Sequence, residues 1–436
     1  MKNSRTTVEN LVIGGGPAGS MVALRLAAAG RKVTLFEKER FAHHKVCGEF
    51  LSREAVEYLH QAGVPPRELG AVPISRVRLS SGERTVEAEL PFCALSLSRY
   101  TLDEVMLARA HEEGCVVRRG VCVDEVTADR DGWLVRTRGG ELIHARTVFL
   151  ANGKHELRGW NRGRGKQSDL IGFKLHWRLA PPQIRALREV MELFLFPGGY
   201  GGLSPLEREV ANLCLVVRQA RLRALGGWTE LLAAIRKANP QLDRRLQGAK
   251  PMWDRPLAIS PIPYGYLTER NAELWCVGDQ AAVIPSFTGD GMSIALHSAV
   301  VAAQMYLDGK SIEEFNCVLR AQLQRGMSVA TLLSRAMVTG IGRRLAPLGL
   351  LALPGAMRRI ALSTRIPEKA LAGVPAYSRE PAGFRGTYTD QVSFKISATR
   401  PVMRSLGDSP GSISMSSTGK SMLCGRRTRR FERNST

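Results

Sequence analysis

The chain has 436 residues, 44% of them apolar and 23% charged. That excludes a disordered or collagen-like polymer and a small stapled scaffold, and it leaves room for a sizeable core. Sixty-two basic against 40 acidic residues give a formal net charge of +22, so nucleic acid, anionic membrane and acidic substrates are the first partners to weigh.

Val8–Ile13 reads as a buried strand, Pro17–Ala29 as an Ala-rich helix stopped by Gly30, and Arg31–Glu37 as the next strand, closing one βαβ unit. Residues 72–92 alternate and predict a hairpin on a partly exposed antiparallel sheet. Thr101–Glu113 reads as a helix, and Cys115–Val126, Trp133–Thr137 and Val148–Ala151 as strands. From about 170 to 217 the pattern turns to long β segments, followed by a helix over Trp228–Ala238. Leu274–Val277 is again a buried strand; Ser293–Leu307 and residues 312–339 are helices. Leu345–Met357, bracketed by Arg343-Arg344 and Arg358-Arg359 and broken by Pro347, Gly349, Pro354 and Gly355, reads as a broken buried helix. A membrane-surface element is the minority reading of that stretch. Periodicity fails after about 375. The tail, with 11 basic and 4 acidic residues over 376–436, reads as disordered and solvated, with no specific nucleic-acid module.

Eight cysteines without a CxxC read as reduced thiols in a cytoplasmic protein. The N-terminus carries no signal-peptide pattern, and no apolar stretch reaches the roughly 18 residues that a span requires.

The chemistry begins at Gly14-Gly15-Gly16-Pro17-Ala18-Gly19, a GxGxxG turn between strand and helix. Gly14 permits the tight turn, Gly16 lets a pyrophosphate approach the backbone, and Gly19 lets the helix pack on the strand. The helix start at Pro17 and Ala18 offers N–H groups and a positive dipole to phosphate. Glu37, at the end of the second strand, can accept from both ribose hydroxyls. A second glycine-bearing region lies some 260 residues on: Gly278-Asp279, then Pro285-Ser286-Phe287-Thr288-Gly289-Asp290-Gly291-Met292. A nicotinamide dehydrogenase has no need of it, whereas an extended flavin does. Asp279 can bond the ribityl chain, and the Gly289, Gly291 and Met292 turn can aim N–H groups at the flavin edge where charge gathers on reduction.

These motifs, with an Arg99-x-x-Leu102-Asp103 segment, resemble the FAD-dependent oxidoreductases of p-hydroxybenzoate hydroxylase fold over about residues 8–335. The resemblance implies that Arg99 contacts the flavin-side pyrophosphate or ribityl chain and that Val123 offers its backbone to adenine. It also implies a Rossmann-like FAD-binding domain (about 1–70, 95–165 and 260–335) interleaved with an antiparallel-sheet α+β substrate domain (about 71–94 and 166–259). A C-terminal helical segment (336–375) and the basic tail (376–436) complete the expected organisation.

Two departures from that superfamily bear on the reaction. Hydroxylases carry an Asp-Gly where this chain has Asn152-Gly153, and the halogenase WxWxIP motif is absent. Lys45-Val46-Cys47-Gly48-Glu49 and Gly199-Tyr200-Gly201 instead resemble the geranylgeranyl reductase branch, which implies Cys47 beside the flavin and Tyr200 beside the substrate. Cys47 is a proton donor or flavin-face residue on one reading and a small buried apolar residue on the other. Tyr200 is either a substrate-side acid or a core aromatic. His43, His44 and Cys47 lack the four ligands of structural zinc, so no metal is assigned.

The expected activity is hydride transfer from reduced FAD to a C=C bond of a hydrophobic, isoprenoid- or polyketide-like small molecule. The electron donor is NAD(P)H or a reduced carrier protein, with peripheral membrane contact as an accessory. The alternatives are a hydroxylase working through a C4a-hydroperoxide and, from another class, a basic nucleic-acid or membrane-binding protein with a vestigial nucleotide fold.

Overall fold

β1 (Thr6–Ile13) is buried along its C-terminal half and runs straight into the glycine-rich turn that opens α1 (Pro17–Ala28). This computed structural model describes residues 6–353 and 355–372, all within one contact unit, Met1–Pro381; the basic tail lies outside the described residues. Proline at the first helical position suits α1, because that N–H has no intrahelical partner. β2 (Val33–Glu37) returns parallel to β1, with Val12 opposite Leu35. β3 (Phe50–Leu51) and α2 (Arg53–Gln61) follow, then the long hairpin of β4 (Val72–Ser81) and β5 (Arg84–Ser96).

α3 (Arg99–Glu112) begins under Ser98, whose hydroxyl accepts the Thr101 N–H, an ordinary N-cap. The stretch expected as one strand from Cys115 to Val126 is two, β6 (Val116–Arg119) and β7 (Val123–Asp129), because Gly120 turns the chain at φ +75°. β8 (Gly132–Thr137) and β9 (Leu142–Leu150) complete this region. In the first sheet β6, β2, β1 and β9 lie in that order as parallel strands, and β8 and β7 extend it antiparallel beyond β9.

The second sheet uses β10 (Leu170–Arg178), β11 (Glu189–Phe196), β12 (Gly199–Pro205) and β13 (Val210–Arg218), with the short α4 (Pro181–Arg185) between β10 and β11. Its order, β10-β13-β12-β11-β4-β5-β3, is antiparallel except for the parallel pair β11–β4. One face, with Phe173, Leu175, Trp177, Leu213, Leu215, Phe194 and Phe196, packs beneath α5 (Gln219–Leu225), α6 (Trp228–Ala238) and α7 (Pro240–Arg245). Strand alternation sends Lys174, His176, Asn212, Cys214 and Tyr200 to the other face.

After β14 (Lys250–Pro251), β15 (Leu257–Ile259) and β16 (Tyr266–Leu267), β17 (Trp275–Cys276) rejoins the first sheet alongside β9. β18 (Ala282–Val283) precedes α8 (Gly291–Leu307), an almost wholly buried helix lying on α1. The fold is thus a mixed α/β architecture, a Rossmann-like sheet and a largely antiparallel one threaded by the same chain. α9 (Ile312–Met337) starts at a capping box of Ser311 and Glu314.

α10 (Gly340–Ala352) and α11 (Ala356–Ser363), with the short α12 (Glu368–Ala372), correct one expectation. The break predicted within Leu345–Met357 is present, as a 112° bend, but the burial is not. Ile341, Leu345, Leu348, Leu351 and Leu353 are exposed, while only Ala346, Pro347, Leu350 and Met357 turn inward. The segment is apolar on more than one side, so one side stays uncovered among the described residues. No single helix there is long and apolar enough to cross a membrane.

Candidate active site

A single cavity of about 1190 Å³ runs between the two sheets. It is lined by Gly14, Gly16, Pro17, Ala18, Glu37, Cys47, Arg99, Val123, Tyr200, Asp279, Gly289, Gly291 and Met292. Of the residues given a cofactor-binding or catalytic role from the sequence, Gly19 alone is not among them. That glycine lies outside because its work is packing: a Cβ there would collide with the carbonyl oxygen of Gly14. Gly14 itself holds φ +109°, and a side chain would strike the Ala151 carbonyl.

The glycine-rich turn carries its own support. Glu37, buried at the end of β2, accepts the Gly15 N–H at 2.8 Å through Oε2 and the Glu39 N–H at 3.0 Å through Oε1. Both oxygens keep lone pairs for a ligand on the cavity side. Over Gly16 the cavity meets two cations, the Arg99 guanidinium 3.2 Å from a Cβ position there and the Lys45 ammonium 4.0 Å from it. Asp103 organises both, taking Arg99 Nε and Nη2 at 2.6 and 2.8 Å and Lys45 Nζ at 2.9 Å. Burial opposes ionisation of Asp103, but those cations hold its carboxyl below the usual range. The result is an electropositive recess over bare backbone, which suits a pyrophosphate.

Further along, Lys154 Nζ lies 2.9 Å from Asp279 Oδ2, and Arg162 Nη1 donates to the Asp279 carbonyl at 2.8 Å. Asn152 donates to the His155 carbonyl at 2.8 Å, and its buried Oδ1 has no protein partner. This orphaned acceptor at the cavity wall and the cationic recess both fit FAD. The residues that would hold it are Glu37 at the ribose, Gly16, Arg99 and Lys45 at the phosphates, Asp279 at the ribityl chain and the α8 N-terminus at the ring.

On the far side the wall is apolar: Val77, Leu90, Met191, Leu193, Ile259 and Ile262, with Met357 and Ile360 from α11. Tyr200 stands here, 2% exposed, its hydroxyl 3.1 Å from Ser334 Oγ. Burial pushes its pKa up to about 12, so it stays protonated at neutral pH. The Cys47 sulfur accepts the Glu49 N–H at 3.3 Å, and Asn212 Nδ2 donates to the Cys47 carbonyl at 3.1 Å.

Sequence reasoning missed the cluster behind Cys47. Glu49, at φ +56° and fully buried, accepts the Arg99 backbone N–H at 2.8 Å, pairs with the Lys174 ammonium, and meets His176 Nε2 at 2.7 Å. His44 stacks on Trp253 and lies edge-on to His176. The atoms of His44, Glu49 and His176 come within 4.8 Å of one another, but Lys174 already places a positive charge on that carboxylate, and no metal is assigned. Lys45 and Lys154 were likewise missed. Their only signal was adjacency, two residues before Cys47 and two after Asn152.

The chain is similar to several known flavoproteins. Residues 7–175 match the FAD binding domain family. The chain is 25% identical over 396 residues to a menaquinone reductase of Mycolicibacterium smegmatis, covering 82% of this chain and 90% of that protein. It is 26% identical over 319 residues to digeranylgeranylglycerophospholipid reductase 2 of Methanosphaera stadtmanae, covering 69% and 78%. In fold it is similar to the flavin-dependent brominase Bmp2, with a TM-score of 0.65 at 18% identity over 85% of this chain and 96% of that one. It is also similar to PqsL, a probable FAD-dependent monooxygenase from Pseudomonas aeruginosa, with a TM-score of 0.61 at 18% identity over 80% and 100%. The family match and these likenesses agree: the chain is an FAD-dependent oxidoreductase, with the fold of the flavin-dependent halogenase and monooxygenase structures it resembles.

Proposed function

We propose that the chain is a reductase of the geranylgeranyl reductase branch, acting on a C=C bond of a long hydrophobic substrate with an isoprenoid-like chain. The observation that carries this is the cavity itself, cationic where a pyrophosphate would lie and lined largely by aliphatic side chains between Tyr200 and α11. FAD, when bound and reduced by NAD(P)H or a carrier protein, supplies a hydride. The chain's own residues orient the alkene and deliver the proton. Val77, Leu193, Ile259 and Ile262 exclude water from the alkene. Cys47 and Tyr200 are two of the cavity-lining groups that carry a transferable proton, and burial keeps the Tyr200 hydroxyl in its protonated form. The relatives named for menaquinone and for digeranylgeranyl lipid support a polyprenyl substrate.

Such a substrate resides in a membrane, and the uncovered side of α10 and α11 supports peripheral contact there. Ile341, Leu345, Leu348, Leu351 and Leu362 are exposed beside Arg343, Arg344, Arg358 and Arg359. That is the composition of an interfacial element facing anionic lipid.

The test is a single anaerobic turnover. Dithionite-reduced holoenzyme mixed with menaquinone in detergent should return oxidised flavin and a product with one double bond saturated. Cys47→Ser should slow that step while flavin content is unchanged, because a thiol is the stronger acid at neutral pH. Flavin that stays reduced with every polyprenyl probe, and is discharged only by O₂ with oxygen entering the product, would favour the hydroxylase reading.

A further inference from the structure

The turn expected to meet the flavin ring, Gly289–Met292, and the Ser286–Thr288 stretch that leads into it are held from an unexpected quarter. Asp290, the residue before α8, is 1% exposed. Its carboxylate pairs with the Arg365 guanidinium and accepts the Thr364 hydroxyl at 3.0 Å, both just past the end of α11. The same guanidinium lies 3.7 Å from buried Glu54 on α2, reaches the Thr288 carbonyl at 3.4 Å, and stacks 4.2 Å over the Phe92 ring. Glu54 is bonded in turn to Ser52, which meets Ser293 on α8. Gly326 of α9 abuts the Thr364 carbonyl, where a Cβ would come within 2.9 Å.

We propose that Arg365 is a positioning residue for flavin binding: one buried cation between Asp290 and Glu54 fixes the Ser286–Gly291 loop and the α8 N-terminus in the form that receives the ring. The proposal rests on the reading that this loop faces FAD. Two carboxylates and one guanidinium make up the buried charge here, so removal of Arg365 leaves like charges facing each other under the loop. Burial already pushes the Asp290 carboxyl up to about 6, although Arg365 pulls it down. The groups facing Asp290 are Arg365 and Thr364 from the α11 end, Glu54 from α2, and Thr288 within the loop. Because α11 also presents Met357, Ile360 and Ala361 to the cavity, the same latch sets one wall of the substrate space.

The full-length chain stripped of flavin is titrated with FAD, by flavin fluorescence, from pH 6 to 8.5. Arg365→Met should weaken binding about tenfold at pH 8, and affinity should recover toward pH 6 as Asp290 takes up a proton. Arg365→Lys should stay within about threefold of the unmodified chain. The double variant Arg365→Met with Asp290→Asn should regain most of the affinity and lose the pH dependence. It also serves if Arg365→Met alone does not fold. Unchanged FAD affinity in Arg365→Met at every pH, or a double variant as weak and pH-dependent as the single one, would overturn the proposal. An unmodified chain that takes up no FAD would overturn the flavin reading beneath it as well.

Discussion

Gly16 decides whether the glycine turn can receive its ligand, and Glu49 whether the floor behind Cys47 stays in place. Gly16 lies bare between Arg99 and Lys45, and Gly16→Val would put two methyl groups where a pyrophosphate must sit. That variant should purify folded but colourless, with its melting temperature close to that of the flavin-free parent. Behind Cys47, burial works against the charge on Glu49, but Lys174 and His176 hold its carboxyl below the ordinary range. With a depressed folded value, the stability drawn from Glu49 is complete above the normal carboxylate range and is lost as pH falls below it. Lys174→Met should cost about 3–5 kcal/mol and should flatten that acid limb. Lys174→Met with Glu49→Gln should recover much of the loss, as expected for a buried pair removed together. Denaturant titration at pH 4 and pH 7 separates these outcomes; a single variant with unchanged midpoints at both would remove Glu49 from the account.

At the scale of elements, α10 and α11 matter most because their inner residues wall the cavity while their outer ones are apolar and uncovered. Replacing Ile341, Leu345 and Leu351 with Ser should reduce co-sedimentation with phosphatidylglycerol-containing vesicles about tenfold or more, since each buried aliphatic chain contributes roughly 1.5–3 kcal/mol. Flavin content should not change. Equal vesicle binding by the variant would mean that these helices meet something other than lipid. The sequence reading of this segment saw the break and missed the exposure, for a physical reason. Proline and glycine act locally and can be read from one chain, whereas burial needs a partner surface that only the fold supplies. β12 was legible only through likeness to the reductase branch. Gly199, Gly201 and Gly202 have poor strand propensity, and the strand exists because β11 and β13 flank it. The glycine turn and Glu37 were legible because steric need and strand-end position are local. Glu49 with Lys174, 125 residues apart, and Asp290 with Arg365, 75 apart, are joined only by folding.

For the whole molecule, the two sheets divide the work. The parallel strands end in the turn, the carboxylate and the cations that fit a dinucleotide. The antiparallel sheet turns one face to a hydrophobic core and the other, with Tyr200, to the apolar half of the cavity. On the proposed reading, a hydride and a proton cross this cavity and no oxygen is transferred. The most direct measurement is the mass of the product of one turnover, run in D₂O and under ¹⁸O₂ with reduced holoenzyme and menaquinone. Reduction predicts a product carrying a pair of deuterium atoms across one former double bond and no ¹⁸O, because the flavin hydride exchanges with solvent before transfer. A product carrying ¹⁸O with its double bonds intact would contradict it.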